Sequence, residues 1–467
     1  MPDFDFDVLL IGAGQSNVPL GPKLVKDGHR VGLIERKQVG GSCVNFGCMP
    51  SKSVHSSARV AHLARHGAGY GIEVGDVNPI LKDVLARARV WTEKARGNIR
   101  GSFEQNDVRF FDGHARLAGK QGSGFKVEIS KGDGSTETVT AKRVVLDPGS
   151  RTVDPGIDGL EDAHPITSES WIDRDDVGRR LVILGGGYIG VEMAQFYRRM
   201  GHDVTLVQKS GQILGHEDED MAAIIQDCLA GEGVTFLMET KTTRVEKTGD
   251  GFRVHLDGGE PIDCDTIFNA TGRRPNTDDL GLNSIGVETD DRGAIATNDY
   301  GEVDGVPNLY AVGDCRGGPA FTHTAHDDHH ILLGRLRQQR DPGGSPVRTK
   351  RIVPWAVFTD PELGRVGKAQ KDAPGAKIVT VKMKSNDRAR VIGEGVGLVK
   401  LVLDPADPRG KLLGATIVGP AAGELVHAFV MLMHLDQPLE SILDAVFIHP
   451  TLFEVVHQAV DTWHKQR

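Results

Sequence analysis

Twice in this chain an apolar run ends in a glycine turn, gives way to a helix-compatible stretch and returns as a second apolar run. The first instance is Val8-Leu9-Leu10-Ile11-Gly12-Ala13-Gly14, closing with Val31-Gly32-Leu33-Ile34-Glu35. The second is Leu181-Val182-Ile183-Leu184-Gly185-Gly186-Gly187, closing with Val204-Thr205-Leu206-Val207-Gln208. Runs this short and this apolar read as buried strands, and two strands joined through a helix lie parallel. Each repeat is then a βαβ unit whose glycines let a backbone approach a pyrophosphate at a helix N-terminus, where unpaired N–H groups and the helix dipole favour negative charge. Glu35 lies 21 residues past Gly14, the spacing at which a carboxylate accepts hydrogen bonds from an adenosine ribose. One such motif is weak evidence; two in one chain predict an α/β protein with two dinucleotide-binding domains. The third position of the first motif is Asn17 rather than Gly or Ala, so helix–strand packing there must differ.

At 467 residues the chain exceeds what one core holds, and about three domains are expected. Turn-rich segments mark the crossings. They are Asp147-Pro148-Gly149-Ser150 through Asp154-Pro155-Gly156, then Ala270-Thr271-Gly272-Arg273-Arg274-Pro275-Asn276, then a linker at Asp341-Pro342-Gly343-Gly344-Ser345-Pro346. Beyond the linker, Gly397-Leu398-Val399-Lys400-Leu401-Val402-Leu403 and a helical tail read as an α+β domain. The net charge of −9 implies no broad basic surface, so neither nucleic acid nor membrane is an expected partner. The first seven residues are acidic where a secretory signal is basic, and no apolar run approaches the roughly 18 residues of a spanning helix. Five cysteines are too few for a secreted disulfide framework, which makes a cytoplasmic protein the expectation. In that compartment a closely spaced cysteine pair suggests chemistry rather than a structural staple.

The sharpest local signal is Gly40-Gly41-Ser42-Cys43-Val44-Asn45-Phe46-Gly47-Cys48-Met49-Pro50-Ser51-Lys52. Two cysteines five apart, leading into a helix directly after a nucleotide unit, can close a small disulfide ring. A helix N-terminus there lowers a thiol pKa and favours the thiolate. The competing readings are two unrelated buried cysteines or half of a metal site, but no second pair completes a zinc site. Cys228, Cys264 and Cys315 lack motif spacing and read as buried small residues.

This segment resembles the redox motif of the pyridine nucleotide–disulfide oxidoreductases, the family of dihydrolipoamide dehydrogenase, glutathione reductase and mercuric reductase, and the likeness covers essentially the whole chain. The resemblance implies two Rossmann-like domains, for FAD and NAD(P)H, and a C-terminal α+β dimerisation domain. The corresponding boundaries are residues 1–150 for the first part of the FAD domain, 151–272 for NAD(P)H, 273–345 for the rest of the FAD domain and 346–467 for the interface. It implies that Cys48 faces the flavin as the charge-transfer thiol, that Cys43 attacks the substrate, and that Lys52 sits beside the flavin's reactive nitrogen. FAD contacts are expected from Gly12, Gly14, Glu35, Gly41, Ser42, Lys52 and Gly149. Asn308-Leu309-Tyr310-Ala311-Val312-Gly313-Asp314 matches the second FAD motif, with Gly313 in the turn and Asp314 accepting from the ribityl chain. One departure stands out: Asp147-Pro148-Gly149 replaces the Ala-Thr-Gly common at the first crossing.

NAD(P)H is expected at Gly185, Gly187, Tyr188, Gly190 and Gly272, with Tyr188 covering the nicotinamide pocket and Glu192 pairing with Lys52. At the acceptor position for the second ribose stand Gln208 and Lys209. A carboxylate there repels a 2′-phosphate, whereas a neutral amide beside a lysine does not, so NADP(H) is preferred over NAD(H). In Ile448-His449-Pro450-Thr451-Leu452-Phe453-Glu454, proline suits a first helical turn, placing His449 at the helix start and Glu454 in the second turn. In the family such a pair reaches the partner subunit's disulfide, the imidazole handling the thiol proton, and a homodimer with shared active sites follows. A histidine-rich stretch, Phe321 to His330, places His323, His326 and His330 near one helical face; solvated histidines are the favoured reading and no metal site is assigned.

The expected reaction passes electrons from NAD(P)H through FAD to the Cys43–Cys48 disulfide and on to a disulfide, oxidant or metal-ion acceptor. The sequence looks close to the mercuric-reductase-like branch. However, the tail Asp461 to Arg467 has no vicinal cysteine pair and no metal-carrying module precedes the first strand, which disfavours mercury reduction by that route. A bacterial oxidative-stress or metal-ion reductase is the leading reading. The alternatives are dihydrolipoamide dehydrogenase, a flavin diaphorase or oxidase without disulfide turnover, and a non-catalytic binding role.

Overall fold

The computed structural model describes residues 4–337 and 347–466; the expected linker at 341–346 lies outside the described residues. Three sheets organise the chain. In the first, the parallel strands Arg109–Asp112, Val31–Glu35, Phe6–Ile11 and Thr136–Leu146 lie side by side, and Leu309–Ala311 adds in parallel to Thr136–Leu146. Val8, Leu9 and Leu10 are fully buried because helices or strands cover both faces, which is why the run shows no alternation. The register pairs Ile11 with Leu146 and Leu146 with Ala311. Gly12, Asp147 and Gly313 therefore emerge at the carboxyl ends of three adjacent strands, where open α/β sheets bind ligands.

The second sheet is parallel throughout, with Arg180–Leu184 between Asp203–Val207 and Thr266–Asn269, and Thr235–Leu237 and Ile166–Thr167 at the edges. The two turn-rich crossings meet as a small antiparallel ribbon, Ser150–Thr152 against Arg273–Pro275. The third sheet, C-terminal, is antiparallel in the order Pro354–Val357, Glu362–Gly367, Leu412–Gly419, Leu398–Leu403 and Lys377–Lys382. Helix Glu454–Lys465 packs against it through Val455, Val456, Ala459, Val460 and Trp463, one apolar stripe at helical period. The whole is the α/β architecture expected, two nucleotide-type parallel sheets and a C-terminal α+β unit. Among the described residues no helix is long and apolar enough to cross a membrane.

Three local expectations need correction. The C-terminal helix begins at Glu454, not at Pro450. Thr451 Oγ1 donates to Ile448 O at 2.9 Å and Thr451 N donates to Glu454 Oε2 at 2.9 Å, so side chains close this turn and Glu454 stands in the first helical turn. On helix Thr322–Leu336 it is His326, His329 and His330 that cluster; His323 turns away to Pro354 O at 2.7 Å and stacks on Phe321. Cys264 and Cys315 are buried as expected, but Cys228 is only partly so, because it lies at the edge of the apolar face of helix Glu219–Gly231.

Candidate active site

Cys43 lies in the short helix Gly41–Asn45 and Cys48 opens the helix Cys48–Arg65. Gly47 makes the reversal between them possible: a Cβ there would stand 2.8 Å from Ser42 O and 3.1 Å from Cys43 Cα. Trp171 Nε1, from the second nucleotide unit, holds the same loop by donating to Phe46 O at 2.8 Å. The cysteine helix buries Val54 and Ala58 in a core shared with Leu181 and Phe268 of the second sheet and Val357, Leu363 and Val418 of the third. All three units thus fix the direction in which Cys48 points.

The two thiols are unlinked and share a hydrogen bond, and their acidities diverge. The Cys43 hydrogen bond, the Thr322 hydroxyl and the Lys52 charge outweigh burial and bring Cys48 down to about 6. Cys43 moves strongly upward, first through its hydrogen bond to Cys48, then through burial and the Cys48 charge. Thr322 Oγ1 lies 3.0 Å from Cys48 Sγ, a contact that sequence reasoning missed. Its one signal was position, at the start of the helix that follows Gly313-Asp314.

Lys52 and Glu192 meet as expected, Nζ to Oε2 at 2.9 Å. Glu192 also accepts from Phe358 N at 2.9 Å, and the Lys52 ammonium sits 4.3 Å from the Phe358 ring centroid. Burial pushes the Glu192 carboxyl up, but the Lys52 and His55 charges and the Phe358 N–H together hold it below its usual range. His55, also absent from the sequence reading, packs 3.7 Å from Glu192 Oε2, and burial drops its imidazole to about 4.

The two nucleotide turns are built alike. Ala13 N donates to Glu35 Oε2 at 2.8 Å, and Gly186 N donates to Gln208 Oε1 at 3.0 Å. The Gln208 amide N–H groups then reach Ser210 Oγ and Gln212 O, and Lys209 beside it is exposed. Gly12 and Gly185 have φ of +90° and +103°, and a Cβ would strike Asp147 O at 2.2 Å or Ala270 O at 2.5 Å. Gly190 lets helix Tyr188–Arg199 close onto Gly185 O, which a Cβ would approach to 1.9 Å. Gly41 faces Gly14, its added Cβ 3.1 Å from Gly14 Cα, so Gly41 and Ser42 adjoin the first turn. Gly272 O accepts from Val153 N at 3.0 Å, tying the second crossing to the first.

The residues present fit FAD and a nicotinamide dinucleotide. A Cβ at Gly149 or Gly187 would meet nothing within 4 Å, so both turns border open space. A cleft lined by Ile11, Gly12, Glu35, Arg36 and Pro148 runs from the first turn along the strand ends. Ser150 Oγ donates to Asp314 Oδ2 at 2.5 Å, and Gly313 N donates to Asp328 Oδ2 at 2.8 Å. Asp328 is fully buried, with Arg316, Arg348 and Arg351 at 3.0, 3.2 and 2.8 Å. This arginine cage, unforeseen from sequence, fixes the Gly313-Asp314 turn. At the departure site, Asp147 Oδ2 accepts from Ser16 N and Asn17 N, both at 3.1 Å, and Asn17 Nδ2 donates to Gly12 O at 2.9 Å.

Tyr188 O–H donates to Glu217 Oε1 at 3.0 Å. His449 and Glu454 bond at 3.1 Å, the imidazole side chain 66% exposed near the exposed Val446 and Ile448. His326, His329 and His330 have ligand atoms within 4.8 Å of one another. Both ring nitrogens of His329 are already engaged, by His326 O and by Lys23 Nζ.

Residues 6–328 match the pyridine nucleotide-disulphide oxidoreductase family, and residues 353–460 match the dimerisation domain of the same family. Dihydrolipoyl dehydrogenase of Manduca sexta is 31% identical over 471 residues, covering 97% of this chain and 92% of that protein. The mitochondrial dihydrolipoyl dehydrogenase of Homo sapiens is 32% identical, covering 97% and 90%. Among solved structures, the Cu(II) complex of the HOCl-induced flavoprotein disulfide reductase RclA from Escherichia coli superposes with a TM-score of 0.88 at 25% identity, covering 99% of each chain. LpdA from Mycobacterium tuberculosis shares the fold, with a TM-score of 0.87 at 22% identity, covering 97% of this chain and 99% of that one. The chain belongs to the class I pyridine nucleotide–disulfide oxidoreductases, as a homodimeric, FAD-dependent NAD(P)H:disulfide oxidoreductase.

Proposed function

We propose that Cys43 and Cys48 are the redox pair of this oxidoreductase, that NADP(H) is its preferred donor, and that its acceptor is a small disulfide, an oxidant or a metal ion. The observation that carries the assignment is the placement of Cys48 at the start of the helix that also carries Lys52, its Sγ 3.0 Å from Thr322 Oγ1. FAD, when bound, supplies the relay of an electron pair from the nicotinamide to the disulfide. Two electrons and one proton then convert the Cys43–Cys48 disulfide to a Cys43 thiol and a Cys48 thiolate. Cys48, near 6, holds the charge under the Thr322 hydroxyl and beside Lys52, while Cys43 keeps the proton until a base removes it. Lys52, oriented by Glu192, presents an ammonium at the flavin position. His449 of the partner subunit, its imidazole steered by Glu454, takes the Cys43 proton as that sulfur attacks the acceptor.

The donor preference rests on Gln208, whose amide oxygen is spent on Gly186 N and which brings no carboxylate toward a 2′-phosphate, and on the exposed Lys209 next to it. A stress-related disulfide or metal-ion reductase is supported by the likeness to a neighbour described as HOCl-induced and seen as a Cu(II) complex. Dihydrolipoamide oxidation is the second reading, favoured by relatives at 31–32% identity. The division at residues 150, 272 and 345, and a cytoplasmic setting, belong to the same proposal.

Anaerobic titration of the flavoprotein with NADPH and NADH separately tests it, followed by a screen of oxidised lipoamide, glutathione disulfide, Hg(II) and Cu(II). A long-wavelength charge-transfer band after two-electron reduction, lost in Cys48→Ser, is the expected result. NAD(P)H oxidation that survives Cys43→Ser with an unchanged acceptor profile overturns it.

A further inference from the structure

Glu217 is fully buried, and five groups converge on its carboxylate or carbonyl, among them Gln212 Nε2, which donates to the carbonyl at 3.0 Å. Tyr188 O–H and Trp355 Nε1 donate to Oε1 at 3.0 and 2.9 Å, and Arg365 Nε stands 3.0 Å from Oε2. Lys371 Nζ donates to the Glu217 carbonyl at 2.9 Å. The Arg365 contact is ionic rather than a directed hydrogen bond, and the same guanidinium lies 4.1 Å from the Trp355 ring centroid. Trp355, Arg365 and Lys371 all come from the C-terminal sheet unit, whereas Tyr188 and Glu217 belong to the NAD(P)H-type unit. Tyr188 is one helical turn before Glu192, which holds Lys52, and its ring is 6.5 Å from Phe321, the residue before Thr322.

We propose that Glu217 is a positioning residue for the dinucleotide reaction: clamped by Arg365 and Trp355, it holds the Tyr188 ring closed over the nicotinamide position. The proposal rests on the reading of Tyr188 as the cover of that pocket. A nicotinamide ring entering beneath Tyr188 must break the phenol's hydrogen bond to a carboxylate whose other donors cannot follow it. Such a bond to an ionic acceptor biases the ring toward the closed form by roughly 10- to 100-fold. The open form is then the minor, binding-competent state, and apparent affinity for the dinucleotide falls by the open fraction. The clamp is assembled from two units, so access to the donor site is set by their contact.

Stopped-flow flavin reduction against NADPH concentration, on holoenzyme, tests this with Tyr188→Phe and Glu217→Gln. Releasing the ring lowers the apparent dissociation constant for NADPH about tenfold in either variant. The double variant gains no more than either single one, because both remove the same bond. Glu217→Gln that fails to fold leaves Tyr188→Phe as a sufficient test, since the ring and the Glu217–Arg365 pair are both kept. An unchanged dissociation constant in Tyr188→Phe, a depressed limiting rate as the main effect, or independent effects that add overturn the positioning role. Absence of flavin reduction in the unaltered protein instead overturns the oxidoreductase reading, and this inference with it.

Discussion

Asn17 and Asp147, the two positions at which the chain leaves its family's pattern, are bonded to each other, the Asn17 N–H donating to Asp147 Oδ2 at 3.1 Å. The third position of the motif and the residue after strand Thr136–Leu146 carry an amide and a carboxyl where the family's pattern has small residues. Asp147→Ala should destabilise the protein by about 1–2 kcal/mol, as expected for loss of a helix N-cap acceptor. Asn17→Gly keeps that backbone N–H and loses side-chain bonding alone, chiefly to Gly12 O, so its cost should add to that of Asp147→Ala, which a denaturation double-mutant cycle measures.

The same carboxyl sets a pH dependence. Burial, reinforced by the Asp314 and Asp328 charges, raises Asp147 well above 3.8, against which the Ser16 and Asn17 N–H groups pull only partly. For an acid whose folded pKa is raised, the folded state holds the proton more tightly, so its stabilising contribution is complete below the unfolded value and is lost as pH rises through the folded one. Asp147→Asn, uncharged and isosteric, should flatten that decline. Thermal melts of both proteins at pH values rising from 3.8 check it, and parallel curves would remove Asp147 as the cause.

Thr322→Ala should raise the Cys48 pKa from about 6, by roughly one unit if the hydroxyl contributes an ordinary hydrogen bond to a charged sulfur. Thr322→Ser should leave it nearly in place. The pH titration of the charge-transfer band in two-electron-reduced enzyme reads the shift directly.

Glu192→Gln strips Lys52 of its countercharge in a half-buried setting, the Lys52 side chain being 34% exposed. A loss of about 1–2 kcal/mol is expected, below the range for a fully buried pair because solvent screens part of it. The Glu192 pKa is depressed, so the pair's contribution is present above 4.5 and disappears as pH falls through the folded value. Urea unfolding of wild type and variant should therefore differ at neutral pH and converge in acid.

Mixing inactive Cys43→Ser and His449→Ala homodimers, unfolding and refolding them together, should restore activity to about a quarter of wild type. Half of randomly reassembled twofold dimers are mixed, and each of these has one intact shared site. No recovery would mean that cysteine and imidazole act within one chain.

The features legible in the sequence were those carried by short spacing: the glycine turns, the cysteine pair, and His449 with Glu454; Lys52 with Glu192, 140 positions apart, was legible only through the family resemblance. Thr322, His55, Glu217 and the arginines around Asp328 carried no local pattern. Thr322 meets Cys48 across 274 positions of chain, and Trp355 meets Glu217 across 138. A lone residue in such a pair is indistinguishable from any other until the fold brings its partner. Two of the three local misreadings had local causes. Proline at 450 suggested a helix start that Thr451 and Glu454 displace by bonding to each other, and helical spacing alone could not show that His323 is claimed by Pro354.

Val54 and Ala58, beneath the sulfur, are walled in by residues from the second and third sheets. A fragment ending at Leu146 keeps both glycines and both cysteines, yet leaves that helix an apolar flank facing water and no surface to lean on. Reactivity at a sulfur depends on placement within about an ångström. Transplanting this dithiol onto another flavoprotein would thus carry over its letters without its aim, and enzymatic competence here is indivisible.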